Sequence, residues 1–253
     1  MSVFVAGLPT SIVSRSNKNS TATVDNNNKN NNSTNTDSND GGDKGGSPYV
    51  KVLNQCSHDI VAGTNENGQE YGKSANVPSG GSHTFTYDAE WRGRIWGRYT
   101  SDSADTFKFS GIWAPSTLAE FDFLPTRETY YDISLVDGSN LPMSIAPDQI
   151  SSNSFKVKKH CGTPVCNSLP TCPTEFQTTD PNGKVNGCKS ACSHYGTAEY
   201  CCTGKYNSPE ACSSNKYAAS VKSACPDAYS YAYDDATSVY SCGSKGYTVT
   251  FCP

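Results

Sequence analysis

The chain has 253 residues, 20 Lys and Arg against 24 Asp and Glu, a net charge of −4 and 12 cysteines. Acids outnumber bases and the basic residues form no run or stripe, which excludes a nucleic-acid-binding class; no segment approaches the roughly 18 consecutive apolar residues of a membrane-spanning helix. The length fits one all-β domain with an appended lobe, or two ordinary domains.

The first sixteen residues, MSVFVAGLPTSIVSRS, are a weak secretory signal, because no basic residue precedes the apolar run and Pro9 interrupts it. The stretch that follows, NKNSTATVDNNNKNNNSTNTDSNDGGDKGGS, holds almost no apolar side chain. Such a composition cannot bury enough surface to fold, so residues 1–47 are expected to be a disordered leader or to be absent from the mature protein. Asn19, Asn31 and Asn32 stand in Asn-x-Ser/Thr sequons, and no sequon follows residue 47.

Beyond the leader come short runs rich in β-branched and aromatic residues: YVKVLNQ (49–55), SHTFTY (82–87), GRIWGRY (93–99), TLAEFDF (117–123), TYYDISLV (129–136) and GYTVTFC (246–252). Turn clusters such as NENGQ, PSGG and DGSN separate them. Many short strands between Gly- and Pro-rich turns point to a sandwich or barrel. In SSNKYAASVKSAC the residues Tyr217, Ala218, Val221 and Cys225 recur at helical spacing behind the cap candidates Ser213 and Ser214, so one amphipathic helix is expected there. The stretch 161–212 is loop-rich and poor in aliphatics, and its order must come largely from covalent links.

The cysteines supply those links. One is Cys56; the other eleven fall between Cys161 and Cys252. No Cys-x-x-Cys pair occurs, and His58, His83, His160 and His194 are scattered, so neither a zinc site nor any cofactor is expected. A disulfide framework, and with it an oxidising compartment, follows.

Five quoted stretches carry a family resemblance: GRIWGRYT, TLAEF, YDISLVDGSNLPMSI, EYCC at 199–202, and ACPDAYSYAYDDATSVYSC followed by GYTVTFCP. In this order they resemble the thaumatin-like proteins, over residues 49–253. The resemblance implies an antiparallel β-sandwich built from 48–98, 117–167 and 225–253, a small lobe at 99–116 and a Cys-rich lobe at 168–224 carrying a short helix, all within one domain, 48–253. It also implies the pairs Cys56–Cys252, Cys161–Cys242, Cys166–Cys225, Cys172–Cys188, Cys192–Cys201 and Cys202–Cys212. Family members usually carry two further local bridges in the small lobe. Here TSDSADTFKFSGIWAPS is short and has no cysteine.

The resemblance also implies an acidic cleft lined by Arg94, Glu120, Asp132, Asp137 and one aspartate of YAYDDATS, with Asp235 favoured over Asp234. Alternation along the strands agrees in part. Ala119, Phe121 and Phe123 share one face, which leaves Glu120 and Asp122 on the other; Arg94 and Arg98 lie together with Trp96, opposite Ile95 and Tyr99. Asp137 has the wrong parity to share a face with Asp132. It precedes Gly138, however, which can take positive φ and turn the chain out of the strand. As a binding site such a cleft would accept hydrogen bonds from sugar hydroxyls; as a glycoside hydrolase it would need one carboxyl protonated and one ionised, here Glu120 as acid and Asp137 as partner. The expected function is therefore that of a secreted, monomeric protein that binds β-1,3-glucan or a related wall polysaccharide in a defence-like, antifungal role. The alternatives are a weak endo-β-1,3-glucanase, or an inhibitor of other hydrolases or a structural secreted protein.

Overall fold

The protein is described by a computed structural model over residues 46–69, 72–102, 114–124, 128–148 and 161–253. The leader expected over 1–47 with its three sequons lies outside the described residues, apart from Gly46 and Ser47. So does most of the small lobe expected at 99–116.

The six strands legible in the sequence are β1 (Tyr49–Asn54), β4 (Ser82–Thr86), β5 (Arg92–Tyr99), β6 (Leu118–Asp122), β7 (Thr129–Ser134) and β14 (Gly246–Phe251). Between them run β2 (Ile60–Glu66), β3 (Lys73–Val77), β8 (Gly138–Ser139), β9 (Met143–Pro147), β10 (Val165–Cys166), β11 (Gln177–Thr179), β12 (Val185–Lys189) and β13 (Tyr240–Cys242). Two large sheets form, one in the order β10-β9-β14-β1-β4 and one in the order β13-β7-β6-β5-β2-β3. Their facing sides pack into one core. Val50 and Val52 of β1, Tyr247, Val249 and Phe251 of β14, and Met143 and Ile145 of β9 meet Ile60, Ala62, Ile95, Phe121, Tyr131 and Ile133 from the second sheet.

The alternation reading of β6 holds because Ala119 and Phe121 are fully buried in this core. Phe121 meets Tyr247 edge-on at 5.3 Å across the two sheets, a geometry that aromatic quadrupoles favour. Strand β2 escaped the sequence reading because Gly63 and the polar residues after it interrupt its apolar run. The glycine is there for the neighbouring strand: a Cβ at Gly63 would sit 2.5 Å from the Trp96 ring, which lies across it.

Among the described strands, the sandwich is antiparallel except for one pairing. Strands β1 and β14 run parallel, in register from Tyr49 opposite Gly246 to Asn54 opposite Phe251. Parallel neighbours need a long connection, and nearly the whole folded chain lies between these two. Cys56 and Cys252 follow the two strands and are joined, at a sequence separation of 196. The remaining bridges are Cys161–Cys242, Cys166–Cys225, Cys172–Cys188, Cys192–Cys201 and Cys202–Cys212. All cysteines are thereby paired, in the pattern that the resemblance implies.

The Cys-rich region holds a small sheet in the order β11-β12-β8 and more helix than the single one expected: α1 (Ala191–Tyr195), α2 (Ala198–Cys201) and α3 (Lys216–Ala224). A fourth short helix, α4 (Asp235–Ser238), precedes β13. Helix α3 is the expected one, but neither Ser213 nor Ser214 caps it. Asn215 does, its side-chain carbonyl accepting from the Tyr217 and Ala218 N–H groups. It stands directly before the first turn, where the free N–H groups point, and the serines stand too early to reach them.

Candidate functional site

The outer face of the six-stranded sheet positions the charged residues. Register puts Arg94 of β5 opposite Glu120 of β6, and Glu120 opposite Asp132 of β7. Three ionisable side chains thus stand in one row across adjacent strands, at the roughly 5 Å Cβ spacing of directly opposed residues. The next row pairs Arg92 with Asp122, whose Nε and Oδ1 are 2.7 Å apart.

Asp137 reaches the same face through the turn after β7. The Gly138 N–H donates to the Leu135 carbonyl at 3.1 Å, and Gly138 has φ 134°. The chain reverses there, and Asp137 comes within 3.5 Å of Arg94 Nη1, both side chains being less than one-fifth exposed. A Cβ at Gly138 would lie 2.4 Å from the Cys188 carbonyl and 2.6 Å from Pro115 Cβ. Gly138→Ala is therefore expected to cost on the order of 3 kcal/mol, from clash and left-handed strain together. Urea denaturation measures the loss.

On the far side of the row, Tyr229 docks its backbone on the end of β7. Its N–H donates to the Ile133 carbonyl at 2.8 Å and its carbonyl accepts from Leu135 at 3.0 Å. Its hydroxyl donates to Asp235 Oδ1 at 2.7 Å, and the Asp235 charge acts on Asp132. Asp234 is occupied differently. It accepts from the Ser230 N–H and hydroxyl and from Thr237, and pairs with Lys222 of α3 at 3.0 Å. Of the two aspartates left open by the sequence, Asp235 is the one whose charge reaches Asp132, and Asp234 ties its loop to the lobe.

The carboxyls of the cluster sit in unlike settings. Burial raises the Glu120 pKa; the Arg94 charge opposes this, Asp137 adds to it, and a hydrogen bond from Ser134 lowers it. Asp137 is raised by burial and pulled back by Arg94. Asp132 is raised well above its ordinary value by burial first, then by Glu120 and Asp235. It is fully buried, and among the described residues neither of its oxygens has a hydrogen-bond partner, so it lies beneath the row, away from solvent, in a setting that favours the protonated form. Arg98, grouped with Arg94 by alternation, is likewise fully buried and lies away from the row. It donates to the Pro115 carbonyl at 2.5 Å and to the Ser116 hydroxyl at 2.9 Å, and burial lowers its pKa to about 10 despite the opposing Asp102 charge.

Val136 and Gly138, which flank Asp137, line one edge of a pocket together with Ser230; Phe176, Tyr200 and Tyr217 of the Cys-rich lobe also line it. Arg94, Glu120 and Asp137 do not line this pocket themselves, so the open part of the site is the Arg–Glu–Asp group, and the ring-lined pocket is a separate feature on the other side of the Asp137 turn. Among the described residues no group of three His, Cys, Asp or Glu is arranged to hold a metal ion, and no helix is long and apolar enough to cross a membrane. Tyr229 was not singled out in the sequence: nothing in YSYAYDD tells which tyrosine docks on a strand some 90 residues earlier.

The sequence pattern described as the Thaumatin family matches residues 54–253. Pathogenesis-related thaumatin-like protein 3.5 of Cryptomeria japonica is 38% identical over 230 residues, covering 83% of this chain and 92% of that protein. A Prunus avium protein named glucan endo-1,3-beta-glucosidase is 36% identical over 228 residues, covering 81% and 90%. Among solved structures, a laminaripentaose-producing β-1,3-glucanase in complex with laminaritetraose shares the fold, with a TM-score of 0.55 at 11% identity over 82% of this chain and 99% of that one. The matched stretch runs from the end of β1 to the last residue, the relatives are over one-third identical along most of their length, and the sandwich and its bridges agree: the chain belongs to the thaumatin family.

Proposed function

We propose that this protein acts outside the cell, where it binds β-1,3-glucan or a related wall polysaccharide on the acidic face, in a defence-like, antifungal role. The observation that carries this reading is the partly open Arg94–Asp137 ion pair beside Glu120. Glucans are uncharged. Their hydroxyls donate to carboxylates and accept from a guanidinium, and their C–H faces lie on aromatic rings. Pathogenesis-related and glucanase names among the relatives support the ligand class, and the fully paired cysteines support an oxidising compartment.

A second reading, weak endo-β-1,3-glucan hydrolysis, is favoured by two carboxyls, Glu120 and Asp137, set around one guanidinium, Arg94. Glu120 is pushed toward the protonated form that a general acid needs. Burial raises Asp137 as well, with Arg94 opposing the shift, and it is the direct ion pair to Arg94 at 3.5 Å that marks Asp137 as the base or nucleophile in this reading. Glu120→Gln and Asp137→Asn separate the two readings in paired pull-down and reducing-sugar assays. In a binding protein, retention on insoluble β-1,3-glucan falls modestly and no reducing ends appear with parent or variant. In an enzyme, turnover falls about 100-fold or more in Glu120→Gln while retention persists. If both variants retain the glucan as the parent does and release no fewer reducing ends, the acidic face is not the site.

A further inference from the structure

The Cys-rich lobe carries a cluster of rings that stands apart from the acidic row. Tyr195 ends α1, Tyr200 lies in α2, and Tyr217 opens α3. The hydroxyls of Tyr195 and Tyr217 are hydrogen-bonded at 2.6 Å, and the two residues are 22 apart in sequence. Their ring centroids are 5.8 Å apart and the planes are inclined at 51°. Tyr195 is 41% exposed, and Phe176 backs Tyr217 at 5.0 Å. No covalent link joins these two helices: Cys192–Cys201 ties α1 to α2, Cys202–Cys212 ties the end of α2 to the loop beyond, and the bridge at the end of α3 runs instead to Cys166.

Phenols oxidised by one electron couple through the ring carbons ortho to oxygen. In the coupled product the hydroxyls lie side by side within hydrogen-bond reach and the rings are twisted about the new bond. Tyr195 and Tyr217 already show both features, and coupling requires their centroids to approach by about one carbon–carbon bond length. An exposed side chain supplies such a movement readily, since its rotamers exchange in picoseconds to nanoseconds. Tyr200 is nearer to Tyr195, at 4.8 Å, but stacks on it with planes at 25°. That arrangement sets ring over ring instead of edge beside edge.

We propose that Tyr195 and Tyr217 form a modification site, at which a haem peroxidase using hydrogen peroxide joins the two side chains as an intramolecular dityrosine. Each phenol gives up one electron and its hydroxyl proton. The two phenoxyl radicals form one carbon–carbon bond between ortho carbons, and each ortho hydrogen then moves to its own oxygen, restoring both aromatic rings. The protein loses two hydrogen atoms in all, and one hydrogen peroxide is reduced to two water molecules. The product links α1 to α3 by a bond that thiol reagents cannot cut, in a lobe whose own bridges are all reducible. The site is independent of the glucan-binding reading.

The test treats the whole folded protein, dilute, with horseradish-type haem peroxidase and hydrogen peroxide. Peptides are mapped after disulfide reduction. The expected product is a monomer lighter by two hydrogen atoms, with dityrosine fluorescence and a crosslinked peptide pair containing Tyr195 and Tyr217. Tyr195→Phe and Tyr217→Phe each keep the ring and lose the product; Tyr200→Phe retains it. Coupling only between molecules, a crosslink mapped to other tyrosines, or a product that survives in Tyr195→Phe overturns the proposal. The peptide map of the parent decides the matter even if a variant folds poorly.

Discussion

Replacing Asp132 by Asn is expected to flatten the pH dependence of folding stability. The ordinary pKa of an aspartate, 3.8, applies in the unfolded chain, and in the folded protein burial, Glu120 and Asp235 raise it well above that. Below the unfolded value both states carry the proton and the group is neutral to stability. Above it the unfolded chain releases the proton and the folded protein keeps it. Stability then falls by about 1.4 kcal/mol per pH unit, until the pH passes the folded-state pKa. Glu120 and Asp137 shift in the same direction and add to the slope. The parent is therefore expected to be more stable in mild acid than at neutral pH, opposite to the usual behaviour of ion-paired carboxylates. Urea titrations from about pH 4 to pH 8 measure the slope, which should be shallower in Asp132→Asn by about 1.4 kcal/mol per unit. The slope, not absolute stability, is diagnostic, because a buried amide inherits the lack of partners. Equal slopes in parent and variant would show that Asp132 ionises in the folded protein.

Removing the bridge between Cys56 and Cys252 is expected to cost more than removing any other. It joins residues separated by 196 positions, and closing so long a loop stabilises by about 5 kcal/mol in the chain-entropy account. The Cys192–Cys201 bridge spans 9 positions and contributes roughly 3 kcal/mol on the same basis. The contrast is sharpened by location: Cys56 is buried in the sandwich core beside the parallel β1–β14 pair, whereas Cys192 lies in the lobe. The double variant Cys56→Ala/Cys252→Ala should lose about 2 kcal/mol more than Cys192→Ala/Cys201→Ala in equilibrium denaturation under oxidising conditions. Equal losses would mean that the unfolded chain holds its ends together without the bridge.

How much of the site was legible depends on the range of the signal behind each residue. Glu120 was placed away from the core by TLAEFDF alone, because strand side chains alternate with a period of two wherever the strand lies. The turn at Asp137-Gly138 was equally local, and the glycine does take the positive φ that the turn requires. Arg98 shows the limit of the same rule: it shares the parity of Arg94, yet the 114–116 segment covers it. Alternation assigns a face and says nothing of what lies on that face.

By itself, then, the sequence determined the strand runs that alternate clearly, the polar face of Glu120, the turn at Gly138 and the presence of a disulfide framework, while the acids as a set came from the family resemblance. The former follow from backbone geometry within a few residues and from the redox chemistry of cysteine. Only the tertiary structure decided that Arg94, Glu120 and Asp132 stand in one row, since register depends on hydrogen bonds between strands brought together from distant parts of the chain. It alone distinguished Asp235 from Asp234, through Tyr229 and Lys222. It alone showed that Asp132 lies beneath the open site, because the burial of a carboxyl is set by everything packed around it and leaves no mark on the residues beside it in the chain.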